Sequence, residues 1–261
     1  MWQIVLIILA VFGIALIYPN IGLGGGFLHV PVLMYLAGMD NGSAVPVSLT
    51  LVLAGALAAF PKHHKSGNVD TRLAAYLASG AVFGAVIGTF INLSLNQSMF
   101  ELLFAFTIIL VCIKMLFDLM KGNGSEKADD CRMCTKWISA SVGLAFLAGI
   151  LASLFGIGGG LIFVPTMIYL LGRPTKLAAG TSTLAIVPTA TVGLLTYYFT
   201  ASAEMDASTI WYIVCLIPVA LIGAYLGSKY LSSRLTGTHI KAIFIALSMF
   251  VAITMIAMAF I

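Results

Sequence analysis

Apolar runs of 13 to 22 residues follow one another along almost the whole chain, at 2–19, 26–38, 43–60, 72–92, 99–120, 137–155, 160–172, 178–199, 209–228 and 240–261. A transmembrane helix needs ~20 such residues, so the pattern predicts an all-α polytopic membrane protein with almost no chain left for an extramembrane domain. Charge agrees with this. Asp, Glu, Lys and Arg make up 8% of the 261 residues, where a soluble domain carries about 25%. The lipid bilayer is therefore the expected solvent, and any chemistry is expected within it. A net charge of +4 is what Lys and Arg in cytoplasmic loops produce, and it points to no nucleic-acid partner. Residues Met1 to Gln3 lack a basic n-region, so the first run is expected to be a membrane segment and not a signal peptide.

The runs divide into two sets of five around Lys121–Lys136, a stretch with Gly122-Asn-Gly-Ser125 and mixed charges. The expected organisation is a first membrane repeat over 1–120, a cytoplasmic linker over 121–136 and a second repeat over 137–261. Internal similarity supports it: residues 22–38 (GLGGGFLHVPVLMYLAG) lie over 156–172 (GIGGGLIFVPTMIYLLG) with 9 of 17 positions identical. Gly84-Ala-Val-Ile-Gly88 and Gly223-Ala-Tyr-Leu-Gly227 form a second match, five residues out of strict register.

Lys and Arg set the orientation. If each half opens with a pair of segments whose outer ends share one side, then 12 of the 13 basic residues fall on one face, in 62–72, 121–136, 173–176 and 229–241. The other face holds Asp40, Glu101, Glu204 and Asp206. The positive-inside bias selects this arrangement, which places both termini outside and inverts the halves, as in secondary transporters whose site lies near the bilayer midplane. Segments 26–38 and 160–172 have 13 residues each, about 20 Å of helix at ~1.5 Å per residue. That is short of a ~30 Å hydrocarbon core. A hairpin dipping partway is preferred over two full crossings, without deciding between them.

Three consecutive glycines precede each short segment, Gly24-Gly25-Gly26 and Gly158-Gly159-Gly160. Backbone N–H groups freed by such a break survive only facing protein or an aqueous cavity. At a helix N-terminus they form an anion site without a charged side chain. The competing reading is close helix packing. Ser48 and the Thr181-Ser182 pair, with Ser182 over Ser48 at the same offset as the glycines, supply hydroxyls that either donate to an oxyanion or back-bond to their own helix; Thr189 and Thr191 are weaker candidates. His29, replaced by Phe163 in the second half, is the one titratable side chain near a tip. It either contacts the substrate and shuttles a proton or is a neutral structural histidine. Lys114 and Asp118, spaced i,i+4, are expected to pair near a cytoplasmic end. Cys131 and Cys134 form a single CxxC, half a zinc site, for which a shared metal or a redox pair stays open.

These motifs, together with Gly180-Thr-Ser-Thr183 and Ser66-Gly-Asn-Val-Asp70, resemble the TauE/SafE family of sulfite exporters and sulfonate permeases over essentially the whole length. The resemblance implies a prokaryotic inner-membrane transporter of sulfur-containing oxyanions such as sulfite or sulfoacetate, with its site between the two glycine-bearing hairpins. Pro46-Val47, where the second half has Gly180-Thr181, departs from the usual pattern. The expected function is a secondary transporter of a small anion, not an enzyme, with no cofactor or metal site. A coupling ion and a homodimer are left open. No nucleotide-binding Gly-x-x-x-x-Gly-Lys-Ser/Thr loop is present. The alternative, a cation or proton-coupled metal transporter, is disfavoured because no Asp or Glu lies near the middle of a segment.

Overall fold

A computed structural model describes residues 2–120, 135–201, 207–231, 249 and 251–257. The linker with Cys131 and Cys134 lies outside the described residues, as do Glu204, Asp206 and the side chains of Lys114 and Asp118. Among the described residues the fold is helical throughout, without strands. In the first half, α1 (Trp2–Ile17), α2 (Gly26–Ala37), α3 (Asn41–Lys65), α4 (Thr71–Ser94) and α5 (Gln97–Met120) follow in order. In the second half, α6 (Thr135–Leu154), α7 (Gly160–Pro165), α8 (Thr175–Ala201) and α9 (Ala207–Leu226) follow, and residues 251–257 lie in a further helix. Wider π turns continue α7 through Thr166–Leu170 and α9 through Gly227–Leu231.

Among the described residues, five stretches are long and apolar enough to cross a membrane: Trp2–Ile21, Asn41–Lys65, Thr71–Ser94, Thr175–Thr200 and Thr209–Tyr230. The first stretch and α2 are unequal arms. The first has the length of a full crossing, while α2, at 12 residues, spans about 18 Å. Large apolar side chains such as Phe83, Phe106, Phe199 and Val214 lie exposed, as a lipid-facing surface requires. Polar side chains are turned inward instead, Ser48, Thr181, Ser182 and Thr189 being fully buried.

The main contacts between the halves recur when the halves are exchanged. Helix α4 lies on α6 as α9 lies on α1, α4 meets α8 as α9 meets α3, and α3 crosses α8 at the centre. Glycines set these distances. A Cβ on Gly80, Gly84 or Gly88 of α4 would strike the carbonyl of Val142, Phe146 or Ile150 of α6, and one on Gly227 of α9 would strike that of Leu16 in α1. The two Gly-Ala-x-x-Gly matches therefore mark the faces where backbones touch, as small-xxx-small stripes do in membranes.

Helix ends show which way each runs. Asn92, near the end of α4, donates its amide to Leu154 O at the end of α6 (2.9 Å), and Asn41 at the start of α3 donates to Asn92 O (3.4 Å). At the other end of the bundle, Gly180 of α8 packs on Asn68 and on His63 of α3, and Gly22, just past α1, packs on Ala179. Helix α1 thus ends at the basic loop between α3 and α4, while its counterpart α6 ends at the opposite end.

Candidate functional site

At the centre the chain is broken twice. Gly22, Gly24 and Gly25 have φ of 74°, 73° and 84°, and Gly156, Gly158 and Gly159 have φ of 68°, 81° and 82°. Only glycine takes this left-handed region without strain, so each Gly-x-Gly-Gly stretch can reverse direction in a few residues and feed a helix that starts at the third glycine of the triplet. Gly26 and Gly160 have ordinary φ, and a different constraint holds them. A Cβ on Gly26 would strike Gly156 O, and one on Gly160 would strike Gly22 O and Leu23 Cα. The two tips lie backbone against backbone, each helix start on the other tip's first glycine.

Val52 of α3 and Ile186 of α8 close over this crossing, both within reach of a Cβ on Gly24 and on Gly158. They occupy equivalent places in the two halves, 134 residues apart. Beneath them the serines cross over. Ser48 Oγ donates to Gly156 O at 2.8 Å, with Gly26 O at 3.4 Å, and Ser182 Oγ donates to Gly22 O at 2.6 Å. Each long helix thereby clamps the tip of the other half. A serine has one proton, and here a tip carbonyl takes it, where donation to an oxyanion or back-bonding to the serine's own helix was expected. Thr181 Oγ1 accepts from Asp70 N at 3.0 Å, away from the crossing, while Thr189 and Thr191 bond back to the carbonyls of Ala185 and Val187.

The amides around the tips remain. Leu28 N and His29 N donate to Gly25 O, and Ile162 N and Phe163 N donate to Gly159 O. The N–H groups of Gly24, Gly25 and Gly26, and of Gly158, Gly159, Gly160 and Leu161, have no acceptor among the described residues. Buried backbone donors are nearly always paired, and these lie at the positive ends of two helix dipoles. His29, 1% exposed, lies beside Gly25.

A second polar connection holds the basic end. Arg173, in the connection between α7 and α8, pairs with Asp70 at the start of α4 (3.6 Å). In the sequence Asp70 closes the Ser66–Asp70 motif and Arg173 opens the basic stretch 173–176; their opposite signs in two loops of one face were the available clue to the pair.

The model of the family described as Sulfite exporter TauE/SafE matches residues 7–255. The chain belongs to this family. TauE/SafE proteins are membrane transporters, and this one is a multi-pass member. It is 31% identical over 218 residues to a probable membrane transporter protein of Xylella fastidiosa, covering 82% of this chain and 81% of the relative. It is 28% identical over 228 residues to the probable membrane transporter protein YunE of Bacillus subtilis, covering 80% and 81%. A shorter match, 29% over 86 residues, joins it to sulfite exporter TauE/SafE family protein 5 of Arabidopsis thaliana, covering 33% of this chain and 19% of that one. No solved structure matches significantly.

Proposed function

We propose that this TauE/SafE transporter is a secondary carrier of a small sulfur-containing oxyanion, sulfite or an organosulfonate such as sulfoacetate, across the cytoplasmic membrane. The observation that carries the reading is the pair of crossed tips, whose N–H groups at Gly24–Gly26 and at 158–161 have no acceptor among the described residues. Backbone amides in a low-dielectric site bind an anion without the cost, several kcal/mol, of burying an isolated ammonium or guanidinium. Among the described residues no three His, Cys, Asp or Glu side chains come together as metal ligands, which favours an anion over a desolvated cation. Gly24–Gly26 and Gly158–Gly160 bind the anion, Ser48 and Ser182 set the tip carbonyls, and Thr181 fixes the loop at Asp70.

The same reading takes the halves as inverted repeats, 1–120 and 137–261, joined by a cytoplasmic linker, with both termini outside. The contacts that recur on exchange of the halves, the opposite ends reached by α1 and α6, and the Asp70–Arg173 pair at the basic end support it. Rocking of one repeat against the other about the crossed tips would expose the anion to each side in turn. In a cysteine-free background, a cysteine at Ala203 is expected to react with an impermeant maleimide added outside whole cells, and one at Ser66 only after lysis; the reverse pattern contradicts the orientation.

The substrate reading is tested with the purified protein in liposomes. Labelled sulfite and sulfoacetate are expected to move at rates well above protein-free vesicles, while sodium and divalent cations offered without them do not. Movement of a cation with no movement of either anion overturns it.

A further inference from the structure

The two ends of the α3–α8 crossing correspond through the offset of 134 residues, yet they are built differently. At the end that holds Asp70, the loop after α3 is tied to the second half. Arg173 pairs with Asp70 at 3.6 Å, and Thr181 Oγ1 accepts from Asp70 N at 3.0 Å. Gly180 lies so near the loop that a Cβ on it would strike Asn68 O and stand 3.1 Å from His63 Cβ. Asp70 Oδ1 also accepts from Leu73 N at 3.0 Å, so what holds Asp70 holds the start of α4. At the other end the same offset puts Met39 for Arg173, Val47 for Thr181, Pro46 for Gly180 and Tyr197 for His63. Met39 and Val47 have neither the charge nor the hydroxyl to repeat the two bonds. Gly180 and His63 lie against each other, whereas Pro46 and Tyr197 stand in the wall of a cavity of about 330 Å³ between α3 and α8.

We propose that Asp70, Arg173 and Thr181 form a latch between the repeats that holds the carrier shut at the Asp70 end, while the cavity at Pro46 and Tyr197 is the room into which α3 and α8 close when the latch opens. This rests on the reading of the halves as repeats that rock, and it says which way the balance leans. Two identical repeats would make the two end states equal in free energy, so bonds made at one end alone weight the equilibrium toward the state that keeps them. The carrier without substrate therefore rests closed at the Asp70 end, and each cycle breaks the latch once. The hydrogen bond contributes more than the ion pair: Thr181 is fully buried, while the side chains of Arg173 and Asp70 are 29% and 24% exposed and their attraction is screened by water and salt.

The test measures distances between nitroxide labels on the full-length protein in nanodiscs, in a background without native cysteines. One pair, Lys65→Cys with Lys176→Cys, reports the Asp70 end, and the other, Ser43→Cys with Phe199→Cys, reports the opposite end. Thr181→Val and Arg173→Met install the residues that the other half carries at the same places. Without anion, the ratio of long to short Lys65–Lys176 distances is expected to rise about fivefold in Thr181→Val, about twofold in Arg173→Met and roughly tenfold in the double variant, with the Ser43–Phe199 distance shortening in the same fraction of molecules. Asp70→Asn keeps an oxygen for Leu73 N and removes the charge; it is expected to match Arg173→Met and to add nothing to it. Wild-type distances at both pairs in the double variant, in a protein whose distances do redistribute with sodium sulfite, overturn the latch and leave the rocking repeats standing. Distances fixed in every variant and with sulfite overturn both. Lengthening at the Asp70 end without shortening at the other is local loosening and contradicts the proposal.

Discussion

Gly26→Ala and Gly160→Ala are each expected to abolish transport, although each adds one methyl group. The reason is where the methyl goes. A Cβ on Gly26 falls onto Gly156 O, and one on Gly160 falls onto Gly22 O, so the only relief is to part the two tips. Overpacking a close-fitted interior typically costs 1–3 kcal/mol, and here the strain is relieved along the coordinate that sets the spacing of the amides. The helices themselves stay intact, since alanine is a better helix former than glycine. Both variants are therefore expected to reach the membrane at near wild-type amounts, to melt several degrees lower in detergent, and to move sulfite at the background rate. Gly13→Ala in α1 and Gly143→Ala in α6 are the controls, because nothing lies within 4 Å of a Cβ at either position; they are expected to be as active as wild type. If Gly26→Ala transports normally, the tips are not in the contact described.

The second large effect is expected at the crossed serines. Ser48→Ala and Ser182→Ala each remove the donor to a buried tip carbonyl, and an orphaned buried polar group costs about 1–3 kcal/mol. The Ser182 bond is the shorter, at 2.6 Å, and goes to Gly22 O alone, whereas the Ser48 proton is shared between Gly156 O and Gly26 O. Ser182→Ala is accordingly expected to be the more damaging, with a lower melting temperature and at least a tenfold loss in the rate of sulfite flux. Ser182→Cys, which keeps a weak donor, should fall between. The pattern separates two roles. A serine that holds the tip lowers melting temperature without any anion present, while a serine that touches only the anion raises the sulfite concentration needed for half-maximal flux and leaves the anion-free melting temperature unchanged.

Much of the frame is legible in the residues alone because its causes are local. Apolar runs predict the helices, and α3, α4 and α8 begin and end within five residues of the segments expected at 43–60, 72–92 and 178–199. The glycine triplets mark the breaks because positive φ is a property of a single residue, and α2 and the α7 segment begin at the third glycine of each, as expected. The unequal arms of the opening pair are less legible. Length alone flagged α2 as short, but how deep α1 and α6 run is decided by the glycine faces of α9 and α4 that they lie against, and no single segment encodes that.

The site was legible in its parts and not in its pairing. Ser182 lies 22 residues after Gly160 and Ser48 lies 22 after Gly26, which suggests that each serine serves its own tip. In the structure each clamps the other half's tip, since α3 and α8 cross over the centre with opposite directions and present their serines across it. Val52 and Ile186 carried no signal at all, being two apolar residues in apolar helices; only the equal offset from the glycines could have picked them out. His29 could be found because it is a titratable group in an apolar segment, yet its unpaired nitrogens become visible only when the packing around the ring is known.

Whether backbone amides of the crossed tips hold the anion is tested most directly on those amides. Protein labelled with 15N-glycine in lipid, with resonances assigned through the glycine variants, is titrated with sodium sulfite and separately with sodium chloride and magnesium chloride. Sulfite-dependent downfield shifts of the Gly24, Gly25, Gly26, Gly158, Gly159 and Gly160 amide protons are expected, with Gly13 and Gly143 unchanged. Sulfite binding that leaves the tip amides unshifted, or shifts at the tips produced by the cation and not by sulfite, would contradict amide binding.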